Sequence, residues 1–296
     1  MPAPADASTL AHLAIDWYDR HARDLPWRSP ATTAWGVLVS EVMSQQTPVG
    51  RVAPIWLEWM ERWPSPADLA AEPVAEAIRA WGRLGYPRRA MRLHACATTL
   101  VRDHEGQPPR SVPELLALPG VGAYTARAVA AFAYGQREPV VDTNVRRFVA
   151  RAAAGRADAG AATTPADLAA TVALLPEQPS RAARASAAFM EIGALVCTAR
   201  APVCGRCPVA ARCRWRASGQ ALPVGPTRKV QRYAGTDRQV RGLLLAVLRD
   251  ATGPVTGDQL APVWSDDVQR DRALTSLLDD GLARQVAPGV YALAGD

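Results

Sequence analysis

The chain is nearly without lysine. Lys229 is the only one, and every other residue in the count of 34 Lys plus Arg is arginine. Codon bias in a GC-rich genome would account for this, but the chemical result holds whatever its origin. A Schiff base needs an amine, and this chain offers only Lys229 and its N-terminus. Long apolar runs are missing too, so no segment reads as a membrane span of ~20 residues. The opening stretch, MPAPADASTLAHLAIDWYD, lacks the basic start and sustained apolar core of a secretory signal. A soluble, cytoplasmic protein is expected. Alternating apolar and polar residues, the mark of strands, are absent from the first 215 residues. That part reads as all-α.

What is present is a globular composition. The 296 residues are 49% hydrophobic, enough for two or three domains with real cores. The net charge of +6 points to a polyanionic partner. Helical spacing runs through 9–23, 35–47, 50–63, 66–71, 73–83 and 88–104, with breaks at Pro, Gly or Ser. PELLAL, AYTARAVAAFAYG, the later part of VVDTNVRRFVARAAA and SRAARASAAFMEIGALVC continue the helical pattern. The alanine-rich stretch 155–180 has little punctuation beyond PADLAATVALLP. Composition changes after 217, where ASGQALPVGPTRKVQRYAGT reads as a linker. Beyond it, RQVRGLLLAVLRD, PVTGDQLAPVW and SDDVQRDRALTSLLDDG read as three helices. LARQVAPGVYALAG alternates about a Pro-Gly turn and reads as a hairpin. Three helices and a hairpin resemble a winged-helix module, which either touches DNA or serves only for packing.

Four of the five cysteines crowd into Cys197-x6-Cys204-x2-Cys207-x5-Cys213. In a reducing compartment this is metal or cluster binding before disulfides. Zinc sites usually pair two short knuckles across a longer gap; here one pair alone has that spacing and no histidine is near. Cubane clusters take four thiolates, so a 4Fe-4S cluster is expected, with zinc as the alternative. Arg200, Arg206, Arg212, Arg214 and Arg216 stud the loop, either as phosphate contacts or as solubilising charge. Cys96 stands alone and reads as a small buried hydrophobe.

LPGVG, with Gly120 and Gly122, lies between two helical runs. Glycines allow a tight turn and a close approach to a ligand. The next helix then offers its free N–H groups to an anion such as a DNA phosphate. A structural corner between helices would look the same. Asp142, twenty residues past Gly122, is either a helix N-cap or a carboxylate with chemistry to do.

The cysteine spacing, the LPGVG hairpin and Asp142 together resemble the endonuclease III superfamily of DNA glycosylases. SEVMSQQT at 40–47 resembles its MutY-type adenine DNA glycosylases, and the likeness spans about residues 10–216. It implies a mainly α, two-lobed helix-hairpin-helix glycosylase fold with an iron–sulfur loop, followed by the small winged-helix-like α+β module. Residues 1–28 with 136–216 would form the cluster domain and 29–135 the helical domain with the hairpin. Residues 217–235 would be the linker and 236–296 the terminal module.

The resemblance also assigns roles. Glu41 would protonate adenine, and its otherwise apolar helix would raise its pKa. Asp142 would stabilise or capture the sugar cation. Tyr124 would hydrogen-bond the catalytic carboxylate, and Asn144 would hold the aspartate and water. Gln46, within Gln45-Gln46-Thr47, and Tyr86 would wedge into the duplex, and Gln45 and Thr47 count among the DNA-contacting set. Trp27 and Arg28 would surround the extruded base. Arg88, Arg89 and Arg92 would meet the DNA backbone, and Gly120 and Gly122 would receive a phosphate. Bifunctional members carry a lysine in the hairpin's exit helix, where this chain has Tyr124. A monofunctional enzyme with little or no strand-cleaving lyase activity follows.

The chain departs from the pattern in three places. Thr143 replaces a common glycine, and Ala187 stands where better-known members carry Gln or Glu near the base. About 80 residues follow Cys213, too few for the Nudix-like domain that reads 8-oxoguanine in those members. The expected partner is double-stranded DNA with A:8-oxoguanine or A:G mispairs, bound by a monomer in the cytoplasm at the nucleoid. A thymine or uracil mismatch glycosylase, or a non-catalytic iron–sulfur DNA-binding regulator, are the competing readings.

Overall fold

The computed structural model describes residues 4–160, 162–220 and 233–296. Most of the expected linker and Lys229 lie outside the described residues. The chain runs α1 (Pro4–His21), α2 (Ala34–Ser44), α3 (Val49–Arg62), α4 (Pro66–Ala70), α5 (Val74–Ala80) and α6 (Arg88–Asp103). Then come α7 (Val112–Ala117), α8 (Ala123–Phe132), α9 (Thr143–Ala152), α10 (Pro165–Val172), α11 (Pro179–Leu195) and α12 (Arg214–Ala217). The last part holds α13 (Asp237–Asp250), β1 (Val255–Thr256), α14 (Gly257–Leu260), α15 (Asp267–Asp279), β2 (Ala283–Ala287) and β3 (Val290–Leu293). Among the described residues, strands occur only beyond residue 250. The chain divides into two compact units. Of the described residues, one unit holds 4–41, 109–117 and 121–220, and the other holds 42–108, 118–120 and 233–296.

The first unit is a bundle of α1, α9 and α11. α9 starts where Asp142 caps it, its side chain accepting from the backbone N–H of Asn144 and Val145. Its apolar residues Val145, Phe148 and Val149 are buried against Leu10, Ala14, Phe189 and Ile192. The Phe148 and Phe189 rings stack at 5.1 Å, and truncating either to Ala would cost about 3–5 kcal/mol. Small residues let α11 come close: a Cβ on Gly193 would lie 2.6 Å from the Asn144 carbonyl oxygen. The alanine-rich stretch does contain a helix, α10. It opens with a Thr164–Asp167 capping box, and Asp167 is then paired with Arg146 at 3.0 Å.

The second unit has an indole core. Trp59 meets Trp63 edge-on at 4.8 Å and Trp81 at 5.6 Å, and the Trp59 Nε1–H donates to the Ala80 carbonyl at 3.0 Å. The terminal module belongs to this unit. Its sheet has the order β1-β3-β2, all antiparallel, with a bulge between Gln285 and Ala287. Here the sequence reading needs one correction. PVTGDQLAPVW is not one helix: Val255–Thr256 pairs with β3, and Thr256 with Gln259 then forms a capping box that starts the four-residue α14. Pro262 follows in a short 3-10 turn, Ala261–Val263. Proline and the cap break the helical period.

Candidate active site and iron–sulfur loop

The first unit gathers three ionisable groups expected to act together. Glu41 stands near the end of α2, Tyr124 in the first turn of α8, and Asp142 at the cap of α9. The Tyr124 hydroxyl donates a hydrogen bond to the Glu41 carboxyl. Burial, and less strongly the Asp142 charge, push Glu41 up to about 7, although the Tyr124 bond and Arg28 oppose the shift. The residue as a whole is half-buried, and its carboxyl has lost hydration. Burial likewise holds the Tyr124 phenol well above its ordinary value. It is a persistent donor and no nucleophile.

Asp142 is both cap and acid. Its Oδ1 accepts from the backbone N–H of Asn144 at 2.9 Å and of Val145 at 2.7 Å. Its Oδ2 accepts from Asn144 Nδ2 at 2.8 Å. Burial raises its pKa, and these bonds work against that rise. Asn144 is fixed in turn by Arg147, whose Nη2 donates to Asn144 Oδ1 at 2.8 Å and to the Gly193 carbonyl at 2.6 Å. Arg147 Nε donates to the Cys197 carbonyl at 2.6 Å. One guanidinium therefore connects the α9 cap, α11 and the start of the cysteine loop.

Sequence reasoning missed Glu191. It is fully buried and grips two arginines. Arg23 donates to it from Nε at 2.7 Å, Nη2 at 2.8 Å and its backbone N–H at 2.9 Å, and Arg28 donates from Nη2 at 2.8 Å. Burial alone would raise this carboxyl, but the arginine bonds overcome it and hold it at about 2. Arg28, expected beside the base, is thus locked in place, also lying 5.3 Å over the Tyr18 ring. Trp27 precedes it in a 3-10 turn, Pro26–Arg28. The signal was a single carboxylate in the apolar run FMEIGAL; its partners lie more than 160 residues away in sequence.

The expected wedge residues lie in the second unit. Gln46 has φ 54° and Tyr86 φ 48°, and both are exposed. A left-handed backbone costs a non-glycine residue ~1–2 kcal/mol, and such strain collects at working sites. Arg89 explains how both turns are held, and it corrects the expectation of a DNA-backbone contact. It is buried, not exposed. Its Nη1 donates to the carbonyls of Val42 at 2.8 Å, Met43 at 3.0 Å and Gln45 at 2.6 Å. Its Nη2 donates to Gly85 O at 3.0 Å and Thr47 Oγ1 at 3.0 Å. Carbonyls at the end of a helix lack partners and favour a cation; Arg89 supplies both needs for α2. It also binds the residue just before each strained one. Burial lowers its pKa to about 10, so it stays charged at neutral pH. Arg88 is exposed and donates to Asp280 Oδ1 at 3.0 Å, while Arg92 is exposed.

In the hairpin, Gly120 has φ 77° and a Cβ there would sit 2.8 Å from that of Arg92. Only glycine fits. Gly122 caps α8 without any side-chain bond, and a Cβ there would meet nothing within 4 Å.

The four loop cysteines are unbridged and partly buried. Among the described residues no three His, Cys, Asp or Glu converge as a single-ion site. The Cys207 thiol nonetheless feels the charges of Cys197, Cys204 and Cys213, and burial pushes it up to about 12. A positive centre is needed to hold such a group as thiolate. Arg151 Nη1 donates to Cys197 Sγ at 3.6 Å and to the Thr198 carbonyl at 2.7 Å, with its guanidinium 4.5 Å over Trp215. Four partly buried thiols with the buried Arg151 cation beside them fit an anionic iron–sulfur cluster. The five loop arginines are all exposed.

Comparison with known proteins agrees with this geometry. Residues 39–173 match the model of the HhH-GPD superfamily base excision DNA repair protein, and 197–213 that of the iron–sulfur binding domain of endonuclease III. An adenine DNA glycosylase of Mycolicibacterium smegmatis is 60% identical over 95% of both chains. One from Mycobacterium tuberculosis is 56% identical over 95% of this chain and 92% of its own. The human adenine DNA glycosylase is 40% identical over 72% of this chain and 40% of its own. A thermostable thymine-DNA glycosylase structure shares the fold, with TM-score 0.64 at 24% identity, covering 72% of this chain and 98% of that one. So does endonuclease III in a non-covalent DNA complex, with TM-score 0.61 at 24% identity over 74% and 99%. The mycolicibacterial and mycobacterial relatives match over 95% of this chain and both are adenine DNA glycosylases: the chain belongs to the adenine DNA glycosylase family, within the HhH-GPD superfamily of base excision repair proteins.

Proposed function

We propose that this chain removes adenine facing 8-oxoguanine or guanine in duplex DNA, hydrolysing the N-glycosidic bond and leaving the strand intact. The observation that carries the reading is a carboxyl held at about 7 beside a second carboxylate and a phenol donor. A general acid works best with its pKa near the working pH.

Adenine leaves poorly as an anion. Glu41, protonated, gives its proton to the ring at N7, and the bond from C1′ to N9 then breaks with its electron pair going to the base. Positive charge builds on the sugar, as in glycoside hydrolysis. Asp142, ionised and aimed by Asn144 and the α9 backbone, stabilises that charge. Water attacks C1′ and its proton passes to the Glu41 carboxylate, which restores the acid. Tyr124 donates to Glu41 throughout. Among the described residues there is no lysine to form an imine, and the hairpin's exit helix carries a phenol that stays protonated.

Extrusion of the base leaves a gap that a side chain must fill. The exposed, strained Gln46 and Tyr86 suit that task. The open N-terminus of α8 and the arginines of the cysteine loop suit the phosphates. Cys197, Cys204, Cys207 and Cys213 would hold a 4Fe-4S cluster. When bound, it supplies fixed charge and order to that loop. Among the described residues no helix is long and apolar enough to cross a membrane, and the substrate places the work at chromosomal DNA.

A single-turnover assay on duplexes with A, T or U opposite G or 8-oxoguanine tests the reading. Release of free adenine, with an abasic site and no nick, is expected. Release of thymine or uracil without adenine would overturn it.

A further inference from the structure

The winged-helix-like shape invites the thought that the terminal module binds DNA. Its charge argues otherwise. Residues 233–296 contain six arginines and nine aspartates, with no lysine or glutamate, while the whole chain is +6. Its arginines are also spent within the protein. Arg241 binds Asp280 at 2.6 Å, and Arg272 binds Asp237 at 2.7 Å. Arg270 reaches the carbonyls of Ala261 and Trp264 at 3.1 and 3.0 Å, and Arg284 the terminal Asp296 carbonyl. A surface built to gather phosphates keeps its cations free and in excess.

The module faces something else. Within the second unit its core is continuous with α5: Ala75 and Ile78 are buried among Val240, Leu244, Leu277 and Leu293. The C-terminus is seated so closely that a Cβ on Gly295 would lie 2.7 Å from Val74 Cγ1. Arg79 of α5 is tied to Asp296 Oδ2 at 2.7 Å and to the Arg249 carbonyl at 3.3 Å. Two further contacts bracket the turn that carries Tyr86. On its near side, the Arg249 guanidinium donates to the carbonyl of Gly82. On its far side, Asp280 accepts from Arg88 at 3.0 Å while also held by Arg241. Tyr86, with φ 48° and 54% exposed, therefore sits in a segment pinned at 82 and at 88 by the module, and at 85 by Arg89.

We infer that the terminal module is a brace for base extrusion: Arg249 and Asp280 are positioning residues that fix the 82–88 turn and so aim Tyr86 into the duplex. The inference rests on the proposed function, and it gives a use to a module that does not itself gather phosphate. A strained residue keeps its conformation only when its surroundings over-determine it. Without the outer pins the turn can relax, and Tyr86 enters the stack less often.

The test measures extrusion apart from chemistry. 2-Aminopurine replaces the target adenine opposite guanine, in the full chain carrying Glu41→Gln, and fluorescence is read at saturating protein so that affinity drops out. Arg249→Met and Asp280→Ala are each expected to cut the rise per bound complex by about tenfold, since small misplacements have large effects on such steps. Arg249→Lys, which can still donate to Gly82, restores most of it, and circular-dichroism melting of each variant accompanies the readings. An unchanged rise in both variants overturns the brace. So does weaker duplex binding with an unchanged rise, which would make the module a DNA-binding surface. A loss that Arg249→Lys does not restore and that follows the melting temperature also overturns it, leaving a merely structural role. If the wild type extrudes the base and lets the variants fail as expected, yet releases no adenine, the proposed function falls and the brace stands.

Discussion

The carboxylate centre and the turns at Gln46 and Tyr86 solve opposite problems. The first needs a charge state that water would not permit. Glu41 gains it by losing water, so the control there is desolvation, with Tyr124 as trim, while the N–H groups of Asn144 and Val145 favour the Asp142 carboxylate against its own burial. The second needs a backbone shape that the chain would not choose. Gln46 and Tyr86 keep it because a buried cation fastens the carbonyls beside them. In one region burial shifts a proton; in the other it pays for geometry. Damage should therefore show as lost chemistry in the first and as lost extrusion and stability in the second.

The largest effect expected is in the first region. Glu41→Gln keeps size and polarity but has no proton to give, so single-turnover adenine release should fall by ~10³-fold or more. Duplex affinity, followed by anisotropy, should stay close to wild type. A parallel loss of affinity would erase the distinction between the regions.

Arg89→Met is the counterpart in the second region. It keeps the apolar stem and removes every donor from five acceptors, four carbonyls and the Thr47 hydroxyl. Loss of a buried hydrogen-bonded charge should cost about 3 kcal/mol in chemical denaturation. The alkaline limb of the pH–rate profile should not move, because Glu41 is untouched.

That limb is itself a prediction. Glu41 has its pKa raised from 4.5 to about 7, so its acid form is lost as pH rises through 7 and release should decline there. The raised group also favours the folded state most below pH 4.5, a contribution lost as pH climbs to about 7. The acid limb belongs to Asp142, which must be ionised, and it should lie above the ordinary aspartate range. Tyr124→Phe removes a bond that favours the Glu41 carboxylate, so the alkaline limb should move upward. A downward move would reverse the role given to that phenol.

The smallest effect sharpens the comparison most. Gln46→Gly relieves a positive φ and should raise thermal stability by up to about 1 kcal/mol, while extrusion read by 2-aminopurine fluorescence falls. If stability and extrusion fall together, the strain at Gln46 is not being held for function.

Legibility in the sequence followed the range of the interactions. The helices were readable because their signals are local: apolar period, caps and proline breaks. Glu41, Tyr124 and Asp142 were picked out by a resemblance, and the structure brings the three side chains together; the four cysteines were legible because a cluster confines residue type and spacing. Arg89 was misread because a surface arginine and a buried one look alike in sequence; only the carbonyls of Val42, Met43 and Gln45 decide between them. Glu191 was missed because Arg23 and Arg28 are brought to it by the folding of α1 and α11. The Val255–Thr256 strand was missed because two residues carry no period.

Arg89 has one more consequence. Because a single guanidinium sets the carbonyls before Gln46 and before Tyr86, the two turns form one mechanical part. A residue inserted or deleted in either loop would be felt by the other. An engineer who wishes to retune one fingertip must therefore rebuild the grip of both.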